Sequence, residues 1–391
     1  MNKEKKIKRI GIDARFYGPL GKGLGRYTQE IVDNIIKLDQ DNEYVIFLRR
    51  ENFDEFITDN QKVKKILAAA RWYSLAEQII MPRLIFKERL NLIHFPHFNV
   101  PIFTPVKFVV SIHDLILTKY PTKRSSRQLY WLKNLGYRIV IWLAVWRAKQ
   151  ILTASQYSKN DLIGRFKVKP EKILVVNYGV SNLKRGQDLR FVKKLDNRKI
   201  LLGYNIIGNF ILYVGSAYPH KNLETFLAVF FEFYKKYPDF RLVLVGREDY
   251  FYRYLKQKAE KMELWSEKNL TSPVIFAGYV PDAELEILYQ QACFYIFPSL
   301  YEGFGLPPLE AMTNGCPVLS SNRSCLPEIL GQAASYFNPK DKNDMLIKME
   351  KITSDKNLRE ALIKKGYEQF KKYNWRECAR QTLEVYRSII K

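Results

Sequence analysis

The 391 residues are 47% hydrophobic and 27% charged, a composition that suits a folded chain of two or three domains and excludes a disordered one. No run approaches the roughly 20 apolar residues of a membrane-spanning helix, since the longest, Ile139–Trp146, ends at Arg147. The net charge of +24 is the departure from the ordinary, and residues 1–180 carry most of it, with 32 Lys and Arg against 16 Asp and Glu.

The N-terminus is basic but has no apolar signal core before Gly11, so a cytoplasmic protein is expected. A first strand is predicted over Ile7–Ala14, and Asp13 and Arg15 stand at its end as weak site candidates. The stretch Gly18-Pro-Leu-Gly-Lys-Gly-Leu-Gly-Arg-Tyr27 reads as a glycine-rich loop with Gly23 and Gly25, leading to Arg26 at a helix start. Such a loop is also compatible with a plain turn. Its spacing departs from the G-x-G-x-x-G of a dinucleotide site, and Asp39 and Asp41 precede the second strand instead of ending it. Further strands are predicted at Tyr44–Leu48, Leu92–Phe95, Phe108–Asp114, Gln150–Ser155 and Ile173–Asn177.

His94-Phe-Pro-His97 has no acidic or cysteine partner at ligand spacing, and the four cysteines form no Cys-x-x-Cys pair. No bound metal and no disulfide framework are therefore expected. His113-Asp114 ends a strand at the edge where ligands collect in parallel sheets, and suits either a base with its orienting partner or a structural histidine. From Leu115 to Asn160 there are nine basic residues and no acidic one, interleaved with Tyr120, Tyr130, Trp131, Tyr137, Trp142, Trp146 and Tyr157. That mixture fits an anionic membrane surface, or equally a solvated basic face over an aromatic core. Nucleic acid is not expected, because no RNA-binding or helix-turn-helix signature accompanies it. Ser155-Gln-Tyr-Ser158 reads as a helix cap.

After Tyr178-Gly-Val a polar, basic stretch to about Gly208 reads as a linker. A second series of strands follows at Phe210–Gly215, Arg241–Gly246, Val274–Gly278, Phe294–Pro298, Pro317–Ser320 and Ser335–Phe337, and helices fill residues 341–391. Strands alternating with helix-length segments argue for an α/β protein with two Rossmann-like domains built on parallel sheets. Lys221 lies just past a strand-end glycine, where an ammonium can neutralise a diphosphate.

The strongest constellation is Glu302-Gly-Phe-Gly-Leu-Pro-Pro-Leu-Glu310, between a strand ending near Pro298 and a helix beginning near Leu306. Pro307 and Pro308 suit a first helical turn, and Gly303 and Gly305 let the backbone approach a ligand. The free N–H groups and the helix dipole make an anion site suited to a diphosphate. Glu310 can then accept both hydroxyls of a ribose, and Glu302 can reach a sugar; a glutamate near a helix start is also often only a dipole partner.

This segment resembles the signature of retaining glycosyltransferases of family four (group 1), which have the GT-B fold, and the resemblance covers nearly the whole chain. It implies two Rossmann-like domains facing across a cleft. Residues 1–190 would bind acceptor, residues 191–372 would bind the nucleotide-sugar, and 373–391 would form a helix packing back on the first domain. It implies that Glu302 contacts the donor sugar, that Glu310 binds the ribose, and that Gly303, Phe304, Gly305 and Leu306 meet sugar and phosphate. Lys221 becomes a phosphate ligand, His113 backs the reacting sugar, and the Gly23–Arg26 loop approaches the phosphate. Family members commonly carry an arginine after the strand-end glycine. Here it is Ser216, so His220 or Arg247 is the expected substitute. No cofactor is expected, because the nucleotide-sugar is a substrate.

The resemblance further implies front-face transfer without a protein nucleophile. The Gly-Arg-Tyr and Pro-His-Lys-Asn segments look like those of mannosyltransferases for surface polysaccharides, so mannose from GDP-mannose is the expected donor. The basic, aromatic first half suggests a glycan or polyprenyl-linked acceptor at the inner face of the cell membrane. The rival readings are a nucleotide-sugar epimerase of the same fold and a non-catalytic membrane or nucleic-acid binder.

Overall fold

The computed structural model describes residues 7–120, 127–180, 196–269 and 271–391, with backbone alone at 20, 22 and 127–134. Residues 181–195 of the expected linker, and the rings of Tyr130 and Trp131, lie outside the described residues. Two compact units result: residues 7–115, 127–179 and 374–391 form one, and residues 116–120, 180 and 196–373 form the other. The first unit runs to Gly179 and the second takes up at Val180, and the short segment Ile116–Tyr120 goes with the second unit.

The first unit contains β1 (Arg9–Asp13), β2 (Glu43–Leu48), β3 (Val63–Leu67), β4 (Leu92–Phe95), β5 (Phe108–Ser111), β6 (Gln150–Thr153) and β7 (Ile173–Val175). They form one sheet in the order β3-β2-β1-β4-β5-β6-β7, and every neighbouring pair is parallel. The second unit contains β8 (Asn209–Val214), β9 (Phe240–Val245), β10 (Val274–Gly278), β11 (Phe294–Phe297), β12 (Val318–Ser321) and β13 (Ala334–Phe337). Their order is β10-β9-β8-β11-β12-β13, again all parallel.

Parallel strands need crossover helices, which cover both faces of each sheet. The central strands β4, β5, β11 and β12 are accordingly buried along their whole length. Strand order reverses between β1 and β4 and between β8 and β11, so each sheet opens a crevice at the carboxyl ends of those two strands. Asp13, Arg15, His113, Ser216, Lys221, Arg247 and Glu302 all lie at or just beyond the carboxyl end of a strand.

The C-terminal helix Trp375–Ile390 belongs to the first unit and packs along the helix Lys22–Leu38. Its buried face, with Trp375, Cys378, Ala379, Thr382, Leu383 and Tyr386, repeats at helical spacing. Gly179 fixes the near end of this arrangement, because a Cβ there would sit 2.2 Å from the Trp375 backbone nitrogen. The middle is tied by a buried polar chain. Tyr386 Oη meets His94 Nδ1 at 2.6 Å, His94 Nε2 meets Ser111 Oγ at 2.8 Å, and Ser111 Oγ meets Tyr27 Oη at 2.8 Å. Burial holds the His94 imidazole neutral, its pKa pushed down to about 3. A neutral ring with one donor and one acceptor nitrogen is what two hydroxyl neighbours can satisfy.

Removing the Tyr386 hydroxyl leaves one His94 nitrogen buried without a partner. Tyr386→Phe is expected to cost about 1–3 kcal/mol, read as a lower urea midpoint at pH 7. A variant as stable as the parent would show that the chain of hydroxyls carries no weight.

Candidate functional site

In the second unit, the loop after β8 and the loop after β11 meet at the point of strand reversal. The Leu300 N–H donates to the His220 carbonyl at 2.7 Å, which sets the two loops side by side. Lys221 closes a short 3-10 turn, Pro219–Lys221, and Asn222 follows at φ +60°, starting the helix Leu223–Lys236. Glu302 Oε1 accepts from Lys221 Nζ at 2.6 Å, and both side chains are largely buried. The ammonium also lies 5.0 Å from the Phe297 ring centroid.

The Glu302 backbone is held from both sides by a loop that the motifs in the sequence do not single out. Its N–H donates to Ser324 Oγ at 2.9 Å, and its carbonyl accepts from Cys325 Sγ at 3.3 Å. Ser324 is at φ +53°, a left-handed conformation uncommon for serine. A Ser-Cys pair before a Leu-Pro-Glu turn is too common a pattern to flag it.

Gly305 is at φ +94° and precedes the helix Leu306–Thr313. A Cβ at this residue would lie 2.9 Å from the end of the Leu326 side chain, which can shift, so it is the left-handed backbone that favours glycine. Pro307 and Pro308 bring no N–H, which leaves the groups of Gly305 and Leu306 as the donors that open the helix. Gly303 is buried and Phe304 packs edge-on against Tyr373, with centroids 5.3 Å apart. Glu310 lies one turn in and is 7% exposed. Burial pushes the Tyr295 phenol well above its ordinary pKa, and the charges of Glu310 and Glu302 act in the same direction.

Ser216 follows the tight approach of β8 and β9. Tyr213 Oη donates to the Ser216 carbonyl at 2.7 Å, and Tyr252 Oη donates to the Gly215 carbonyl at 2.8 Å. A Cβ at Gly246 would lie 2.2 Å from the Gly215 carbonyl oxygen, which puts Arg247 on the neighbouring strand end beside Ser216. The two expected substitutes for the absent arginine now differ. His220 is buried, its pKa pushed down to about 4 by burial and then by Lys221, so it carries no charge at neutral pH. Arg247 is exposed, with its guanidinium 5.2 Å from the Tyr279 ring centroid.

In the first unit the expected loop is shorter than its glycines suggested. Pro19–Gly21 form a 3-10 turn and the helix Lys22–Leu38 starts at once, so Gly23, Gly25 and Arg26 lie inside its first turns. Gly25 is fixed by the chain it packs on, since a Cβ would meet the Gly18 carbonyl oxygen at 2.1 Å, whereas Gly23 has open space around it. Asp13 and Arg15 bind each other through paired contacts of 2.7 Å. Arg15 also contacts Glu77 at 2.5 Å, and Asn99 donates to the same carboxylate at 2.8 and 2.9 Å. All four are buried, so the group anchors the edge of the sheet.

His113 follows β5. Its Nε2 lies 2.7 Å from the Pro96 carbonyl, to which it donates, and Nδ1 therefore accepts from the Tyr178 hydroxyl. Burial pushes its pKa down to about 4. Ser155 caps the helix Gln156–Phe166 as expected, and Ser158 Oγ donates to the His113 carbonyl at 3.2 Å. Glu328 is exposed on the short helix Leu326–Leu330. Among the described residues no three His, Cys, Asp or Glu side chains are grouped to hold a metal ion.

Two doubly wound parallel sheets, one with a Lys–Glu pair and a glycine-led helix start at its reversal point, define the GT-B glycosyltransferase fold. The chain belongs to the group 1, family 4 glycosyltransferases: residues 206–369 match "Glycosyl transferases group 1" and residues 21–182 match "Glycosyltransferase Family 4". It is 28% identical to the O-antigen chain mannosyltransferase B of Escherichia coli over 94% of this chain and 96% of that one. Among solved structures it resembles the sucrose-phosphate synthase of Thermosynechococcus elongatus, with a TM-score of 0.75 at 20% identity, covering 98% and 99% of the two chains. It also resembles Anabaena HepE in complex with UDP and glucose, with a TM-score of 0.71 at 15% identity, covering 98% and 100%.

Two outcomes follow from the charges. Arg247→Ala should weaken nucleotide-sugar binding about tenfold and His220→Asn should leave it nearly unchanged, both by titration calorimetry; the reverse ranking would remove Arg247 from the site. His113 and His220, with folded pKa values near 4, take up protons in the unfolded chain first, as pH falls below about 6.5. Stability is therefore full above that pH and is lost progressively toward pH 4, read as urea midpoints at pH 7, 5.5 and 4.5.

Proposed function

We propose that this protein transfers mannose from GDP-mannose to a glycan on a lipid carrier, with retention of anomeric configuration, in the synthesis of a cell-envelope polysaccharide. The observation that carries this reading is the Lys221–Glu302 pair at the strand reversal, beside the helix start at Gly305 and with Glu310 one turn behind. The name of the E. coli relative supports the sugar and the product class. In this reading the reaction takes place in the cytoplasm, at the inner face of the membrane.

In this mechanism the bond between sugar C1 and the diphosphate oxygen breaks while the acceptor hydroxyl bonds to C1 on the same face. The acceptor's proton passes to the departing diphosphate oxygen, so no protein nucleophile is required. Charge that develops on the diphosphate is met within the second unit by Lys221, by Arg247 and by the Gly305 and Leu306 N–H groups. Lys221 then exchanges its partner Glu302 for phosphate, which frees the carboxylate to hold a sugar hydroxyl or face the oxocarbenium-like carbon. Glu310 takes the ribose hydroxyls. In the first unit His113 is a neutral, rigid ring, because burial lowers its pKa to about 4 and both nitrogens have partners.

The solved complex of HepE with UDP-glucose favours one second reading, a UDP-glucose donor. Thermal stabilisation by GDP-mannose and UDP-glucose, followed by NMR of the product anomer, separates the two. Greater stabilisation by GDP-mannose and an α-linked product are expected; a β-linked product would overturn retention, and a new epimer formed without acceptor would indicate an epimerase. Glu302→Gln should lower kcat about 100-fold with little change in donor affinity. Glu310→Ala should weaken donor affinity roughly 10- to 100-fold. If both variants behaved like the parent, the site would lie elsewhere.

A further inference from the structure

We propose that one outer face of the first unit, formed by the helices Glu77–Lys87 and Arg127–Arg147 and the loop around Phe103, docks on the headgroup layer of an anionic membrane. The proposal deepens the lipid-carrier reading above by assigning the surface that would meet the lipid.

A helix that covers a sheet normally turns polar side chains outward. These two do not. The helix Glu77–Lys87 buries Met81 and Ile85 and presents Ile79, Arg83, Phe86 and Lys87 outward, at spacings of one helical face. The helix Arg127–Arg147 buries Ile141, Ala144 and Val145 in the same core cluster. Its outer stripe is Leu135, Ile139, Trp142 and Trp146, with Arg138 among them. The Trp142 and Trp146 rings lie parallel, 5.9 Å apart, and Trp146 is 67% exposed.

The loop between β4 and β5 joins the two stripes into one face. Ile102 N–H donates to Gln78 Oε1 at 2.7 Å at the start of the first helix. Arg147, at the end of the second, donates to the Ile102 carbonyl and, at 3.0 Å, to the Thr104 carbonyl. Phe103 between them is 76% exposed, as is Phe86 at 75%. Single exposed apolar residues are ordinary, but aligned rows of large ones across three connected elements mark an interaction surface.

Charge selects the partner. Between Gln78 and Asn160 there are thirteen Lys and Arg against two acidic residues, Glu88 and Asp114. Glu88 is buried and paired with Lys64 at 2.7 Å. Indole and phenyl rings settle at the headgroup level of a bilayer, and cations beside them meet lipid phosphates. Among the described residues no helix is long and apolar enough to cross a membrane, so the contact is one of docking on a surface.

The test is sedimentation of the full chain with phosphatidylcholine vesicles, with and without phosphatidylglycerol, using the parent and two double variants. Trp142→Ser with Trp146→Ser alters one helix; Phe86→Ser with Phe103→Ser alters the other helix and the loop. The parent is expected to bind the anionic vesicles, more weakly in high salt, and each double variant to bind at least about fivefold more weakly. Brominated lipid should quench the parent's tryptophan emission and leave that of the Trp142/Trp146 variant nearly unchanged. Donor stabilisation, measured in parallel, should be the same in all three proteins, so loss of the donor reading and loss of the docking reading appear in different columns. A parent that ignores anionic vesicles, or variants that bind like the parent, would overturn the proposal. So would a parent dimer that the tryptophan variant dissociates, since the face would then cover a second copy.

Discussion

Lys221 and Glu302 are 81 positions apart, and what brings them to 2.6 Å is the reversal of strand order between β8 and β11. The rest of the second unit's site depends on that pairing. An ammonium and a carboxylate, both largely buried, are tolerable only because each neutralises the other. The pair therefore stores the charge of the site in a compact form before any ligand arrives. In the proposed mechanism a diphosphate would compete for Lys221 and release Glu302 as a sugar is placed beside it. The backbone clamp of Ser324 and Cys325 keeps Glu302 in place whether or not its side chain is paired.

The cations around this pair divide by environment. His220 is next to Lys221 in the chain yet cannot share its work, because burial and the adjacent ammonium both oppose protonation. Arg247 sits one strand over, at the exposed edge, where its charge costs no desolvation. The backbone crossing at Gly215 and Gly246 leaves no room for side chains, and so brings that neighbouring strand end against the β8 loop; in the proposed mechanism Arg247 would supply from there the charge that Ser216 does not. The physical requirement is positive charge at a given place, and the sheet can deliver it from either strand.

Most of the fold is legible in the sequence because parallel strands are buried on both faces and read as short β-branched runs. β3 escapes this reading: Val63-Lys-Lys-Ile-Leu67 is an edge strand with little burial, and its lysines hide the pattern. The glycine-rich stretch after β1 misled in the other direction, since Gly23 and Gly25 sit within a helix that tertiary contact imposes over their poor propensity. Glu302 to Glu310 was readable because the whole device is local, running from strand end through turn to helix start. Partners brought together by folding were not: Arg15 with Glu77, His113 with Tyr178 and His94 with Tyr386 are separated by 62, 65 and 292 positions. No periodicity or motif links such residues, and only the sheet topology does.

The same distinction explains the charge. Among the described residues the first unit's ion pairs include Arg9 with Glu43, Lys64 with Glu88 and the buried group of Arg15 with Asp13 and Glu77. They cannot absorb a surplus of 16 positive charges over residues 1–180. Uncompensated charge of one sign opposes compact folding, so its retention on an outer face argues for a partner outside the chain. Attraction by such charge fades beyond about 8 Å at physiological salt, and it gathers a partner without fixing how it sits. Phe86, Phe103, Trp142 and Trp146 act only at contact and are little affected by salt. A surface that combines the two would first collect an anionic layer and then hold it by burying rings, and neither step calls on a residue from the donor site.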